Sequence, residues 1–151
     1  MMRLSLLSLL ACCSVSQVSQ AAVQLQNITV QQANHYMQQQ QLSSVELTRY
    51  YLQQISALDD AGPELNAIVD INSDALQQAA AMDAERKAGK IRSALHGLPI
   101  VLKANIATAD QLPTTAGALA LKDFKTSKDA ALVTQLRAAG AVILAKTNLS
   151  E

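Results

Sequence analysis

This sequence of 151 residues has few aromatic residues and no excess of either charge. Aromatics make up 3%, without a single tryptophan, and 12 basic residues balance 12 acidic ones. Surfaces that bind single-stranded nucleic acid combine stacking aromatics with basic side chains. The composition therefore argues against a nucleic-acid partner, while a hydrophobic content of 50% is sufficient for a packed core.

Cysteine and histidine are equally rare. The two cysteines are adjacent, at Cys12 and Cys13, and the only histidines are His35 and His96. Adjacent cysteines cannot form a disulfide framework, and no set of four zinc ligands has suitable spacing. We therefore expect neither a structural disulfide nor a metal site.

The first 21 residues have the pattern of a secretory signal. A short basic start containing Arg3 precedes an apolar stretch at 4–15, which is too short to span a bilayer. Ser19 and Ala21 supply the small residues that a signal peptidase recognises, so we predict cleavage after Ala21 and export to the periplasm or medium. An uncleaved anchor and lipidation at Cys12 remain open as alternatives.

Two capping boxes predict helices early in the remaining chain. Thr29 with Gln32, and Ser43 with Glu46, have the spacing in which side chain and backbone cap one another. Apolar residues follow each box at helical spacing, as far as Leu58 in the second helix. We interpret the acidic pair at 59–60 as a solvated helix end.

Later segments predict an α/β arrangement. The pattern indicates a strand at 65–71, a helix at 74–87 capped by Ser73, and buried strands at 99–102 and 141–144. Asp129 is placed to cap a helix between the last two strands, which would make them a parallel βαβ unit. Two such strands do not close a core, so we interpret residues 22–151 as the amino-terminal part of a larger domain.

Lys103 is the main candidate for chemistry. It follows the apolar run at 99–102, and ligands of open α/β sheets lie beyond the carboxyl ends of strands. Burial there would favour a neutral amine, which can act as a general base for a hydroxyl nucleophile. Lysines also end strands merely to reach solvent, so the position alone leaves both interpretations open.

Three blocks of sequence resemble the amidase signature family. The first is Leu-His-Gly-Leu-Pro-Ile-Val-Leu-Lys at 95–103, the second is Pro-Thr-Thr-Ala-Gly at 113–117, and the third covers 129–151 and contains Lys-Thr-Asn at 146–148. They occur in the family's order and spacing, and the helical segment at 43–55 is similar to its leading helices. The resemblance extends over most of 27–151, which corresponds to the amino-terminal part of a family member.

The resemblance implies a fold and a reaction. Family members are α/β/α sandwiches around a mixed sheet, with leading helices, and they hydrolyse carbon–nitrogen amide bonds through a Ser–cis-Ser–Lys triad without metal or organic cofactor. It places the triad lysine at Lys103, whereas both serines belong to a downstream Gly/Ser-rich segment. None of the serines after the signal lies in such a context.

Three positions depart from the family pattern. Ala104 stands where an acidic residue usually follows the lysine, Ala118 where serine is usual, and Ala145 where glycine is usual. The first departure is adjacent to Lys103 and could weaken the order of the site. We interpret His96 as a loop hydrogen-bonding residue, and Lys146 and Asn148 as structural residues at the same sheet edge as Lys103.

The sequence thus predicts the amino-terminal part of an exported amidase that acts on small amides or peptide amides. The alternative is a catalytically inactive, truncated remnant of such an enzyme. Export argues against the branch of the family that works on aminoacyl-tRNA in the cytoplasm.

The export signal makes a direct prediction. When the protein is produced in a bacterial host, its mature form should begin at Ala22 and lack both cysteines, because cleavage after Ala21 removes them. Intact mass and amino-terminal sequencing of the exported protein measure this. A chain that begins with a lipid-modified Cys12 would contradict it, and so would an uncleaved Met1; replacing Ala21 by a bulky residue is the control that should block processing.

Overall fold

The computed structural model describes residues 23–149. The predicted signal segment at 1–21, including Cys12, and the last two residues lie outside the described part. Along the described chain, four helices and three strands follow in the order α1 (Val30–Gln38), α2 (Ser44–Ile55), β1 (Ile68–Ile71), α3 (Ala75–Lys87), β2 (Pro99–Lys103), α4 (Ala131–Ala138) and β3 (Val142–Thr147).

Both capping boxes are confirmed. The Thr29 hydroxyl accepts from the Gln32 N–H while the Gln32 side chain accepts from the Thr29 N–H, and Ser43 and Glu46 repeat the arrangement. The second helix ends earlier than the periodicity predicts, because a π-helical turn, Ser56–Asp60, follows α2. Helices α1 and α2 therefore begin where the local sequence satisfies the first orphan N–H groups.

The strands form one mixed sheet with β3 in the middle. The order is β1-β3-β2, with β3 parallel to β2 and antiparallel to β1. This confirms the predicted parallel pair. β3 is buried along nearly its whole length, as expected, whereas β2 is only half-buried and Val101 is 43% exposed. The prediction of a β2 buried on both faces is wrong for the described residues, because β2 is an edge strand.

Helices cover both faces of the sheet. On one face α3 packs Ala75 and Ala79 against β3, and residues of α2 join the same cluster. On the other face Val133 of α4 packs against Leu102 and Ile143. The arrangement is the helix–sheet–helix sandwich that the sequence predicts; it places β3 between two layers of apolar side chains, whereas β2 contributes to the layer on the α4 side.

Two predicted helix caps are wrong. Asp74, not Ser73, is the cap residue of α3, and its N–H donates to the side chain of Asn72. Ala130 precedes α4 without a side-chain cap, because the Asp129 carboxylate instead accepts from the Ala109 N–H and from Arg137. At α4 a tertiary contact with Ala109 replaces the local cap, whereas at α3 the bond from Asp74 to Asn72 is itself local.

The amino ends of β2 and β3 are joined through glycine backbone. The Gly97 N–H donates to the Gly140 carbonyl at 2.8 Å, and the Val142 N–H donates to the Leu98 carbonyl at 2.9 Å. Gly140 has φ +84°, and a Cβ there would lie 2.7 Å from Nδ1 of His96. Only glycine combines this conformation with such close packing.

Replacing Gly140 by alanine should therefore destabilise the protein more than the same change at Gly89. Both glycines end a helix with positive φ, but a Cβ at Gly89 meets nothing within 4 Å. Gly89→Ala should cost about 1–2 kcal/mol for the left-handed backbone alone, and Gly140→Ala about 1–3 kcal/mol more for the overpacking. Urea unfolding followed by far-ultraviolet circular dichroism measures both; equal losses would show that the His96 contact is unimportant.

Candidate active site

The carboxyl ends of β2 and β3 bring two lysines to the same edge of the sheet. Leu102 is paired with Lys146, and Lys103 with Thr147. Because side chains alternate along a strand, Lys103 shares a face with Val101, whereas Lys146 shares the opposite face with Leu102. The expectation that Lys146 lies at the same edge as Lys103 is confirmed, but the two side chains belong to different faces.

Lys103 is exposed in the described part of the chain. The expectation that the strand end would bury it is wrong for residues 23–149. The physical reason is the position of β2 at the sheet edge, where the face that carries Val101 and Lys103 has no covering helix of its own.

The backbone around Lys103 is held tightly. The Ile106 N–H donates to the Lys103 carbonyl at 2.9 Å, which closes a turn directly after the strand. The Ala104 N–H donates to the Thr147 carbonyl at 2.9 Å, and the Ala104 carbonyl accepts from the Ala116 N–H at 3.2 Å. Ala104 is 1% exposed, so a small apolar residue fits this position and its backbone supplies the bonds.

The second sequence block forms the loop beside this turn. The Thr114 N–H donates to the Phe124 carbonyl at 2.7 Å, and Ala116 and Gly117 both have positive φ. The Gly117 N–H donates to the Thr115 hydroxyl. A shallow depression of about 320 Å³ lies against this loop and is lined by Asp70, Thr115, Gly117 and Asn148, among others. Its lining brings β1, the loop at 113–117 and the end of β3 to one surface.

Lys146 is fully buried, at 0% exposure, and its ammonium donates to the Ile106 carbonyl. Burial lowers the pKa of Lys146, because desolvation penalises the charged amine, while Asp110, Asp70 and Asp129 act to raise it. Asp70 is its register partner on β1, and partial burial raises the pKa of this carboxyl despite the nearby ammonium. Lys146 thus lies among three carboxylates.

Arg137 of α4 joins two of these carboxylates. Its Nη2 donates to Asp110 and its Nε donates to Asp129 at 3.0 Å. Asp129 also accepts from the Ala109 N–H at 2.7 Å, and Asp110 accepts from the Leu112 N–H at 3.0 Å. We call Lys146, Arg137, Asp110 and Asp129 the charged clamp, because together they hold the segment at 106–112.

His96 takes the structural role that the sequence indicates. It is fully buried, its Nδ1 accepts from the Arg92 N–H, and its Nε2 faces the Met82 carbonyl at 3.0 Å. It lies before β2, away from the carboxyl edge.

The interpretation of Asp59 as solvated is wrong. Asp59 is buried, and its carboxylate accepts from the N–H groups of Ala67 and Ile68, which fixes the start of β1.

The described residues contain no metal cluster, and two of their serines are hydrogen-bonded near the amino ends of the strands. Within 23–149 no cluster of three or more His, Cys, Asp or Glu side chains could hold a metal ion, and no helix has the length and hydrophobicity to cross a membrane. The hydroxyls of Ser44 and Ser93 donate to the carbonyls of Gly97 and Ala139, before the amino ends of the strands. None of the serines at 23–149 lies in a Gly/Ser-rich segment of the kind to which the family resemblance assigns the triad serines.

Comparison with known proteins defines the class. Residues 46–151 match the family model for amidases. Together with the mixed sheet and its covering helices, this match shows that the chain belongs to the amidase family.

Particular relatives agree with this assignment. The chain is similar to the peptide amidase of Stenotrophomonas maltophilia, with 49% identity and a TM-score of 0.79 over 83% of this chain and 25% of that one. A Schizosaccharomyces pombe protein named as an amidase is 39% identical over 85% of this chain and 22% of its own length. A glutamyl-tRNA(Gln) amidotransferase subunit from Renibacterium salmoninarum is 43% identical over 74% of this chain and 21% of its own. The chain therefore spans about a fifth to a quarter of these relatives.

The sequence alone did not reveal the charged clamp. Asp110 and Asp129 are far apart in the chain, and no short motif connects them with Arg137 and Lys146. One signal was present: Lys146 follows four apolar residues of a strand predicted to be buried, and a charge in such a position usually has partners.

The two lysines should differ sharply in chemical reactivity. Lys103 is exposed and Lys146 is fully buried, so an amine-acylating reagent should modify Lys103 well before Lys146. Peptide mapping by mass spectrometry after a short exposure measures both positions. Guanidinium-unfolded protein is the control, in which both lysines should react at similar rates. Equal modification in the folded protein would contradict the burial of Lys146.

Proposed function

We propose that this chain is the amino-terminal part of an exported amidase that hydrolyses carbon–nitrogen amide bonds, with Lys103 as the lysine of a Ser–cis-Ser–Lys triad. The observation that carries the proposal is the position of Lys103 at the end of β2 in a chain of the amidase family. Three backbone hydrogen bonds hold the turn that begins at Lys103. Such a lysine is presented at a fixed place toward the edge where ligands of α/β sheets bind.

The proposed chemistry is acyl transfer. The Lys103 amine accepts, through the cis-serine, the proton that the nucleophilic serine loses as its oxygen attacks the amide carbon. The carbon–nitrogen bond then breaks, and the leaving nitrogen takes up the proton as ammonia or an amine. Water hydrolyses the acyl-serine by the reverse route and releases the acid. The mechanism needs no metal or organic cofactor.

For the substrate, we propose small amides or peptide amides. The support is the similarity to a peptide amidase, at 49% identity, combined with the export signal predicted at 1–21. The similarity to an amidotransferase component points instead to a cytoplasmic reaction on aminoacyl-tRNA. Cleavage and export of the protein would separate these two assignments, because the second reaction has no substrate outside the cytoplasm.

The inactive remnant is a separate outcome with its own test. The 151-residue chain is expected to release no ammonia from a simple amide, because the described part contributes a base without a nucleophile or oxyanion donors. A protein of the relatives' length that begins with these residues should release ammonia. Failure of that longer protein to hydrolyse any amide would support the remnant.

The role of Lys103 leads to a comparison of two variants. In a longer, active protein, Lys103→Arg should be about as damaging as Lys103→Ala, with losses of about a hundredfold or more, the usual scale for a general base. Arginine keeps the positive charge but stays protonated, so it cannot accept a proton. Turnover of an amide substrate measures this effect. Near-parental turnover in Lys103→Arg would identify Lys103 as a positive anchor for substrate and would refute the proposed mechanism.

A further inference from the structure

A fully buried ammonium at the end of the central strand needs an explanation. Lys146 is at 0% exposure and follows the buried apolar residues 142–145 of β3. Removing a charge from water is costly unless it is paired and hydrogen-bonded, so an apolar residue would serve packing at less cost. The contacts of the ammonium show what it holds in place.

The ammonium is connected to Lys103 by two hydrogen bonds. Lys146 donates to the carbonyl of Ile106, and the N–H of the same Ile106 donates to the carbonyl of Lys103 at 2.9 Å. Both backbone groups of Ile106, the carbonyl and the N–H, are therefore hydrogen-bonded. The turn from Lys103 to Ile106 is anchored at its far end by a side chain of the neighbouring strand.

The carboxylates of the charged clamp favour the charged form of Lys146 against the effect of burial on its pKa, and they bond to the same backbone segment. Asp110 and Asp129 lie near Lys146, and each is bonded to Arg137 and to a backbone N–H of the segment at 106–112. Asp70 approaches Lys146 from β1. Side chains of β3 and α4 thus bond to the segment that follows Lys103, and β1 places Asp70 opposite Lys146.

We propose that Lys146 is a positioning residue for Lys103: through the Ile106 carbonyl it fixes the turn that sets the direction of the Lys103 side chain. The inference rests on the proposed amidase function for its catalytic consequence. Its structural consequence, an ordered turn at 103–106, is independent of that function.

The test compares Lys146→Met with Lys125→Met. Methionine has a similar length but no charge or donor. Lys125 is the matched control. Its ammonium also donates to a residue of the same segment, the Gln111 side chain at 2.7 Å, but Lys125 is exposed. In the 151-residue chain, hydrogen exchange at the Ile106 amide should accelerate at least tenfold in Lys146→Met and remain parental in Lys125→Met.

In a longer, active protein the kinetic readout is the split between kcat and KM. Lys146→Met should lower kcat by about ten- to a hundredfold, the range expected when a catalytic group is misplaced by about 1 Å, with KM changed less than threefold. Lys146→Arg, which keeps a cation and a donor, should restore part of the kcat. A structural defect alone would instead lower the amount of active protein without this rescue.

The outcomes separate the two proposals. If proteins longer than this chain fail to hydrolyse amides, the proposed function fails. Hydrogen exchange at the Ile106 amide still tests the role of Lys146 in that case. If activity is present but exchange and kcat are both parental in Lys146→Met, the positioning role is overturned. Should Lys146→Met not fold, Lys146→Met/Asp70→Asn removes the opposing carboxylate as well. Loss of folding in this pair and in Lys146→Arg would also overturn the proposal, because Lys146 would then support the whole sheet.

Discussion

The parallel pairing of β2 with β3 determines where every residue of the candidate site lies. The register places Lys103 beside Thr147 and Leu102 beside Lys146, and the same ladder continues into the loop through the bond from Ala104 to Thr147. A shift of β3 by one residue would move Lys146 to the face that carries Lys103, so that both lysines would lie on the same face. The chemical difference between them is therefore a property of the register, supported by the apolar residues that bury one face of β2 on α4.

The amino ends of the same two strands depend on close backbone packing. Ser44 at the start of α2 donates to the Gly97 carbonyl, and the side chain of Asp83 on α3 accepts from the N–H groups of Ser44 and Val45. A carboxylate beside the first N–H groups of a helix is favourable both as a hydrogen-bond acceptor and toward the helix dipole. Helices α2 and α3 are thus joined to each other and to the loop that enters β2. This connection fixes the strand from the end opposite to Lys103.

Charge at the other end of the sheet is distributed over both faces. Lys103 is exposed on one face, whereas the opposite face carries the charged clamp, whose two carboxylates and lysine bond to a short segment of backbone. Buried ion pairs seldom add much stability over apolar packing, but they define geometry where directional bonds are needed. In the segment at 106–112, Ile106 and Leu112 pack against the apolar cluster on the α4 side of the sheet, and these bonds hold the backbone between them. A reaction that relies on a precisely placed amine benefits from such a support.

The sequence by itself determined the local elements and the family. Capping boxes at Thr29 and Ser43, apolar runs at 99–102 and 141–144, and the glycines that end α3 and α4 all act through neighbours within a few residues, so their patterns could be interpreted directly. Lys103 was identified in the same way, from a motif. Tertiary structure alone decided which lysine is buried, that β2 is an edge strand, and that Asp59 and Asp129 bind distant backbone N–H groups and not solvent or a helix start. These properties depend on contacts between residues far apart in the chain, and burial and hydrogen bonding at such contacts are set only when the strands and helices pack together.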